Sequence, residues 1–318
     1  METPVAFLIF NRPELTRRVF TEIARAKPKR LLVIADGPRS ASEAEKCQAA
    51  RAVIDEVDWK CEVITNYSET NLGCKHRISS GLNWVFEQCE QAIILEDDCL
   101  PHPTFFHYCE ELLDKYRDNR HIMMIGGSNF QSGRKQWPDS YYFSVYTQIW
   151  GWASWRRAWR CYDLDMGSWP SLRDTSWLLN ILGNKDASRH WKAVLEKNYQ
   201  GLIDSWDVQW MFSCWLENGL TALPNKNLIS NIGFGEDATH TKTDIYAVAG
   251  LPVDAMVFPL EHPRIIEPDK EADRFTFNNL FAKEVDRPGL YKKLGRKVLG
   301  TLPNFVRQPI AVLRERLR

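Results

Sequence analysis

The chain has 318 residues, with 41 basic side chains set against 41 acidic ones, so its formal net charge is zero. Hydrophobic residues make up 44% and charged residues 26%, the balance of a protein that folds around a core. There is no basic excess to hold a nucleic-acid backbone, and no apolar run reaches the ~18 residues of a membrane-spanning helix.

The first half alternates strand-like and helix-like patterns. Residues 5–10 are a continuous apolar run, too short for a helix and apolar on both faces, as in a buried parallel strand. The run ends at Asn11-Arg12-Pro13, and a helix is predicted next, with Pro13 in its first turn and Leu15, Val19, Phe20 and Ile23 on one face. Residues 31–35 form a second strand ending at Asp36-Gly37-Pro38, and residues 43–57 a second helix. Residues 61–65 make a third strand, ending at Asn66. Residues 73–88 contain a third helix striped by Ile78, Leu82, Val85 and Phe86, and residues 92–95 a fourth strand that runs into Glu96-Asp97-Asp98. Such alternation predicts a parallel sheet with helices on both faces, joined by right-handed crossovers. Ligands bind outside the carboxyl ends of strands in such sheets. Here those ends carry Asn11 and Arg12, then Asp36, then Asn66 and Asn71, then the acidic triplet.

Residues 141–159 alternate aromatic and small side chains before turning helical. The chain has thirteen tryptophans, eleven of them between Trp137 and Trp215. Most are expected to fill a core, the rest to offer flat apolar area on which sugar rings stack. A helix is predicted over residues 208–218, with Asp207 as its cap. Residues 231–240 contain two glycines and suit a flap that closes over a ligand. Residues 252–281 are rich in proline and acid and read as a strap rather than a domain. The eight cysteines are scattered without a C-x-x-C pair, which predicts buried thiols, with pairing as the alternative in a secreted protein. The opening Met1-Glu2-Thr3-Pro4 lacks the basic head and apolar stretch of a secretory signal, so a cytoplasmic protein is expected.

Net neutrality conceals an asymmetry. Residues 287–318 carry nine basic side chains and one acidic, Glu315, leaving a net charge of about −8 on the rest. Leu290, Leu294, Val298, Leu302, Phe305 and Ile310 interleave with that charge, as in a segment lying on an anionic membrane surface; a helix packed on the domain is the alternative. The expected organisation is one unit over residues 1–283, with halves of about 1–130 and 131–283, and a basic amphipathic tail over 284–318.

The acidic triplet carries the sharpest chemical signal. Three adjacent carboxylates at the end of an apolar strand repel one another unless a cation or hydrogen-bond donors compensate. A hard divalent ion held by one or two carboxylates and by substrate phosphates is one solution, and a solvated acidic turn the other. Arg12, Lys75 and Arg77 are the candidates to meet a diphosphate, the last two near a helix N-terminus. Asp36 would accept from a base N–H or a ribose hydroxyl, or simply form the turn before Gly37-Pro38.

In this order the motifs resemble those of the GT-A glycosyltransferases, which use nucleotide-diphosphate sugars. The chain is similar to glycosyltransferase family 2 and to metal-dependent inverting N-acetylglucosaminyltransferases of the N-glycan type. The likeness runs through Pro4-Val5, Asn11-Arg12, Asp36-Gly37, Lys75-His76-Arg77 and Glu96-Asp97-Asp98. It continues into Gly151-Trp152, Ser205-Trp206-Asp207 and Ile232-Gly233-Phe234-Gly235, covering roughly residues 4–240. It implies an α/β fold with a Rossmann-like GT-A sheet flanked by helices and an aromatic-rich acceptor-side half. It implies that Asp98 ligates Mn²⁺ or Mg²⁺, with His240 reaching the metal or the phosphates from the flap. Asp97 and Glu96 would reach the ribose or the donor sugar, Asp36 the base, and Asn11 and Arg12 the nucleotide. Arg77 takes the place of a donor-side arginine, and Lys75 stands where related enzymes often have His. Gly151 and Trp152 would belong to a loop over the donor sugar, and Asp207, with Asp204 as rival, would be the catalytic base.

The implied activity is sugar transfer with inversion, from a nucleotide-diphosphate donor, UDP-sugar favoured, to a glycan or lipid-linked acceptor. The implied setting is bacterial surface-polysaccharide synthesis at the inner face of the cell membrane, with no nucleic-acid partner. A sugar-1-phosphate nucleotidyltransferase would share the sheet and metal, but begins with a Gly-rich loop where this chain has Asn11-Arg12-Pro13-Glu14. A carbohydrate-binding protein without catalysis would account for the tryptophans and leave the triplet unexplained.

Overall fold

The computed structural model describes residues 1–234 and 250–282. The first elements are β1 (Val5–Ile9), α1 (Pro13–Ala26), β2 (Arg30–Ala35), α2 (Ala41–Ala52), β3 (Glu62–Tyr67), α3 (Gly73–Gln88) and β4 (Gln91–Glu96). They follow the predicted series; the second helix is shorter than expected and passes into a 3-10 turn over Val53–Glu56. After them come β5 (Cys99–Pro101), α4 (Thr104–Lys115), β6 (Ile122–Gly126), β7 (Tyr141–Ser144), β8 (Trp152–Trp155) and α5 (Arg156–Trp159). The remainder is α6 (Trp169–Leu172), α7 (Trp177–Leu182), α8 (Lys185–Tyr199), α9 (Asp207–Leu216), β9 (Leu220–Pro224), β10 (Ile229–Asn231) and α10 (Lys270–Thr276). No helix among the described residues is long and apolar enough to cross a membrane.

Eight strands form one sheet in the order β3-β2-β1-β4-β8-β6-β9-β7, and β10 pairs with β5 beside it. The β3-β2-β1-β4 half is parallel, as predicted. Beyond it, where the alternation made no prediction, the sheet is mixed: β8 lies antiparallel between β4 and β6, and β7 is antiparallel to β9. The chain reverses between β6 and β7, where residues 127–140 hold no helix of the kind a parallel crossover uses, and β7 and β8 then both run against β6 and β9.

Strand alternation sorts the core. Val5, Phe7 and Ile9 of β1 face α1 and α4, meeting Val19, Phe20, Phe105 and Leu112. Ala6 and Leu8 face the opposite layer, with Leu82, Val85 and Phe86 of α3, Trp206 just before α9 and Trp210 within it. Eight of the thirteen tryptophans are buried, in line with the expectation that most fill a core. In the second layer Trp152, Trp159, Trp206 and Trp210 form one cluster, with Trp152 5.8 Å from both Trp206 and Trp210. All eight cysteines are free, five of them buried.

Ser140 N–H donates to the Glu261 carbonyl at 2.8 Å, and α10 then docks beside β7. There the buried Asp273 accepts from the Ser144 hydroxyl and the Val145 N–H. Burial, with Asp269 nearby, pushes the Asp273 carboxyl up to about 7. The folded chain therefore holds this proton more tightly than the unfolded chain, and stability present in acid is lost as pH rises from about 4 through about 7, at ~1.4 kcal/mol per unit. Asp273→Asn is expected to flatten the urea-unfolding free energy across that window, and an unchanged pH slope would contradict this.

Candidate active site

The acidic triplet lies where β4 meets the turn into β5. Because β1 and β4 are neighbours, the β1–α1 corner sits against it. Asp97 accepts the Phe10 N–H at 3.2 Å and the Arg12 guanidinium, and the same Arg12 Nη2 reaches Asp98 Oδ2 at 2.9 Å. The Asp97 side chain is only 3% exposed, against 16% for Asp98 and 18% for Arg12. Burial opposes the charge on Arg12, but Asp97 and Asp98 outweigh it and hold the guanidinium pKa above its usual value. Burial pushes the Asp97 carboxyl up against the pull of Arg12. Glu96 is pushed up by burial and then by Asp98 and Asp97. The compensation foreseen for the triplet is thus supplied within the chain by an arginine.

A short segment after β10 covers this cluster. Ile232 N–H donates to the Asp98 carbonyl at 2.8 Å, and a side chain at Gly233 would put its Cβ 2.2 Å from Asp98 Oδ2. Only glycine fits there. The Phe234 ring meets Trp150 edge-on at 5.8 Å. The rest of the predicted flap, including Gly235 and His240, lies outside the described residues, as does the tail from residue 284.

At the β2–β3 corner the structure gives two predicted donor-binding residues a different task. Asp36 Oδ1 accepts the N–H groups of Gly37 and Leu72, both at 2.9 Å, while Oδ2 accepts Gly73 N–H and the Asn71 amide. Two donors on each oxygen fill its acceptor sites, so Asp36 ties β2 to the start of α3 instead of facing a base. Arg77 is only 6% exposed and donates to the Ala35 carbonyl, to the Asn66 carbonyl at 2.5 Å and to Asn66 Oδ1 at 2.7 Å. It staples the ends of β2 and β3, with its guanidinium spent on these acceptors; burial lowers its pKa. Asp36→Ala would orphan three backbone donors and is expected to cost about 2–4 kcal/mol in urea unfolding. Wild-type stability together with lost nucleotide binding would return Asp36 to the base.

Asn11 donates to Glu43 Oε1 at 2.5 Å, and Glu43 is clasped by Arg39, which holds its carboxyl well below the usual range. Sequence reasoning missed this pair; its signal was the i, i+4 spacing of Arg39 and Glu43 at the start of α2. Lys75 lies in the first turn of α3, and its ammonium makes no hydrogen bond or ion pair among the described residues. Its N–H donates to Asp204 at 3.1 Å, which brings the segment before α9 onto the same corner. Asp207, the first residue of α9, accepts from the Ser205 hydroxyl, and its charge adds to the rise at Glu96. The structure therefore brings together Arg12, Glu96, Asp97, Asp98, Lys75, Asp204 and Asp207.

It does not place Gly151 and Trp152 as a loop over a sugar. Trp152 begins β8, is fully buried, and packs inside the tryptophan cluster. Gly151, at φ +59°, is the tight internal turn before it, where a Cβ would fall 2.4 Å from Ile229. Asp97 is likewise withdrawn, both its oxygens being engaged.

Among the described residues no group of three or more His, Cys, Asp or Glu side chains is arranged to hold a metal ion. Asp98, whose Oδ2 is held by Arg12, and Glu96 supply hard carboxylate oxygens, the type that holds Mg²⁺ or Mn²⁺ when substrate phosphates complete the shell. The group fits on those terms.

Fold and edge define the class: an α/β protein with one mixed eight-stranded sheet flanked by helices and a charged cluster at the carboxyl ends of β1 and β4. No protein-family model matches the chain, and no curated protein matches its sequence. Solved structures similar to it include a UDP-glucose pyrophosphorylase complexed with UDP-glucose, at 12% identity and TM-score 0.27, covering 46% of this chain and 64% of that one. A 4-diphosphocytidyl-2C-methyl-D-erythritol synthase from Anaerococcus prevotii has 11% identity and TM-score 0.34, covering 58% and 84%. Mouse xyloside xylosyltransferase 1, in its apo form, has 13% identity and TM-score 0.32, covering 67% and 81%. The chain spans just under two thirds of the first of these.

Proposed function

We propose that the chain is a glycosyltransferase that moves a sugar from a nucleotide-diphosphate donor, a UDP-sugar by preference, to a glycan or lipid-linked acceptor with inversion. The observation that carries this reading is the meeting, at one sheet edge, of Arg12 and the acidic turn with Asp207 from a segment more than a hundred residues away. An inverting transfer needs those two groups apart in role: cations at the departing diphosphate, and a base on the acceptor side. Asp98, with Glu96 beside it, would hold Mn²⁺ or Mg²⁺, which when bound neutralises charge on the diphosphate. Arg12 and Lys75 take phosphate oxygens, Lys75 from the first turn of α3. Asn11 and the Arg39–Glu43 pair border the nucleotide. Asp207, flanked in sequence by the buried Trp206 and Trp210, takes the acceptor proton. The basic segment 284–318 supports a cytoplasmic enzyme held at the inner face of a membrane, close to a lipid-linked acceptor.

The test is product analysis. With Mn²⁺, a panel of nucleotide sugars and lipid-linked or free glycan acceptors, the chain is expected to release nucleoside diphosphate and glycosylated acceptor. Pyrophosphate formed from a nucleoside triphosphate and a sugar 1-phosphate would replace this reading with nucleotidyl transfer. Glycan binding without any turnover would replace it with a carbohydrate-binding protein.

A further inference from the structure

We propose that Arg12 is a built-in counter-cation that competes with a divalent ion for Asp98, so that ion and diphosphate enter this site together. The role of the diphosphate rests on the proposed function; the competition for Asp98 is a property of the chain alone.

The surroundings of Asp98 leave little room for a second cation. Arg12 Nη2 lies 2.9 Å from Asp98 Oδ2 and bridges to Asp97, and Arg12 Nη1 lies 2.8 Å from where a Cβ on Gly233 would stand. Gly233 packs over that same Oδ2, and Cys99 Sγ contacts Oδ1 at 3.5 Å. An ion bonded to Oδ2 at the ~2.1 Å of a Mg²⁺–oxygen bond would stand beside the guanidinium, and two cations cannot share one partly buried oxygen without mutual repulsion. Among the described residues Arg12 has no third acid to move to, because its ion pairs there are with Asp97 and Asp98.

A diphosphate changes both sides of this balance. Its oxygens are a bidentate partner for a guanidinium, which gives Arg12 somewhere to go. The same oxygens supply ligands that the chain lacks, since no group of three ligating side chains exists among the described residues. Ion and diphosphate then raise one another's affinity, and this coupling is reciprocal.

The experiment is titration of the full chain with Mn²⁺ alone, following free Mn²⁺ by electron paramagnetic resonance. Wild type is expected to bind weakly, and Arg12→Gln at least about tenfold more tightly, because removing the arginine frees Asp98 and leaves the acidic turn uncompensated. Adding Asp98→Asn to Arg12→Gln is expected to abolish that gain. Arg12→Lys keeps the charge on a point ammonium that cannot bridge both acids, and is expected to fall between the two. Circular dichroism checks each fold; if Arg12→Gln does not fold, the lysine variant decides. Equal Mn²⁺ affinity in wild type and the folded variant would overturn the proposal, as would tight Mn²⁺ binding by wild type without nucleotide. A chain that binds no nucleotide at all would sink the proposed function while leaving the wild-type to Arg12→Gln ratio to be read independently.

Discussion

Asp207→Asn is expected to lower the rate of sugar transfer by about 10²–10⁴-fold while leaving donor affinity nearly unchanged. The substitution is close to isosteric and keeps an oxygen for the Ser205 hydroxyl, so α9 should start as before. What it removes is the capacity to take a proton. In the proposed reading donor affinity depends on Arg12, Lys75 and the acidic turn, and none of these hydrogen-bonds to Asp207. Steady-state turnover and donor dissociation constants, measured together, separate the two roles. If most of the rate survived, the base would lie elsewhere. Asp204 is the next candidate, although it already receives the Lys75 N–H.

The largest effect on stability is expected at Trp152. Its ring is fully buried, lies among Trp159, Trp206 and Trp210, and joins β8 to α9 across the second layer. Trp152→Ala is expected to cost about 3–5 kcal/mol, the usual penalty for emptying an aromatic site that neighbours refill only in part. Trp152→Phe should cost far less, since the indole N–H has no hydrogen-bond partner here to lose. Urea unfolding of both variants decides the matter. A Trp152→Ala chain of wild-type stability with impaired donor binding would restore the sugar-covering loop.

The contrast at Trp152 shows where the sequence was legible. In β1 to β4, local pattern and tertiary outcome agree: short apolar runs between amphipathic helices have one good packing, a parallel sheet covered on both faces. The strand-end polar residues followed from that topology, and so did the acidic turn. From β6 onward, aromatic density hid the strands, because a run such as Trp152–Trp155, buried on both faces, carries no period to distinguish loop from strand. The direction of β8 depends on a connection whose course no residue pattern reveals. Asp36 and Arg77 were found as residues but not as contacts. A carboxylate or guanidinium at a strand end can face a ligand or close a corner, and the choice turns on hydrogen bonds to Leu72, Gly73 and Asn66 that only the fold supplies. The Arg12–Asp98 pair is legible in the same partial way: both residues were singled out, but their pairing follows from β1 and β4 lying side by side.

The most direct measurement is thermal unfolding of wild type and Asp98→Ala against UDP, GDP, CDP and their sugars, with and without Mn²⁺. A ligand at ~100 times its dissociation constant stabilises the fold by ~2.7 kcal/mol, enough to raise the midpoint by several degrees. A rise is expected with one nucleotide, requiring Mn²⁺ in wild type and disappearing in Asp98→Ala. No rise with any nucleotide, or an equal rise in Asp98→Ala, would contradict it.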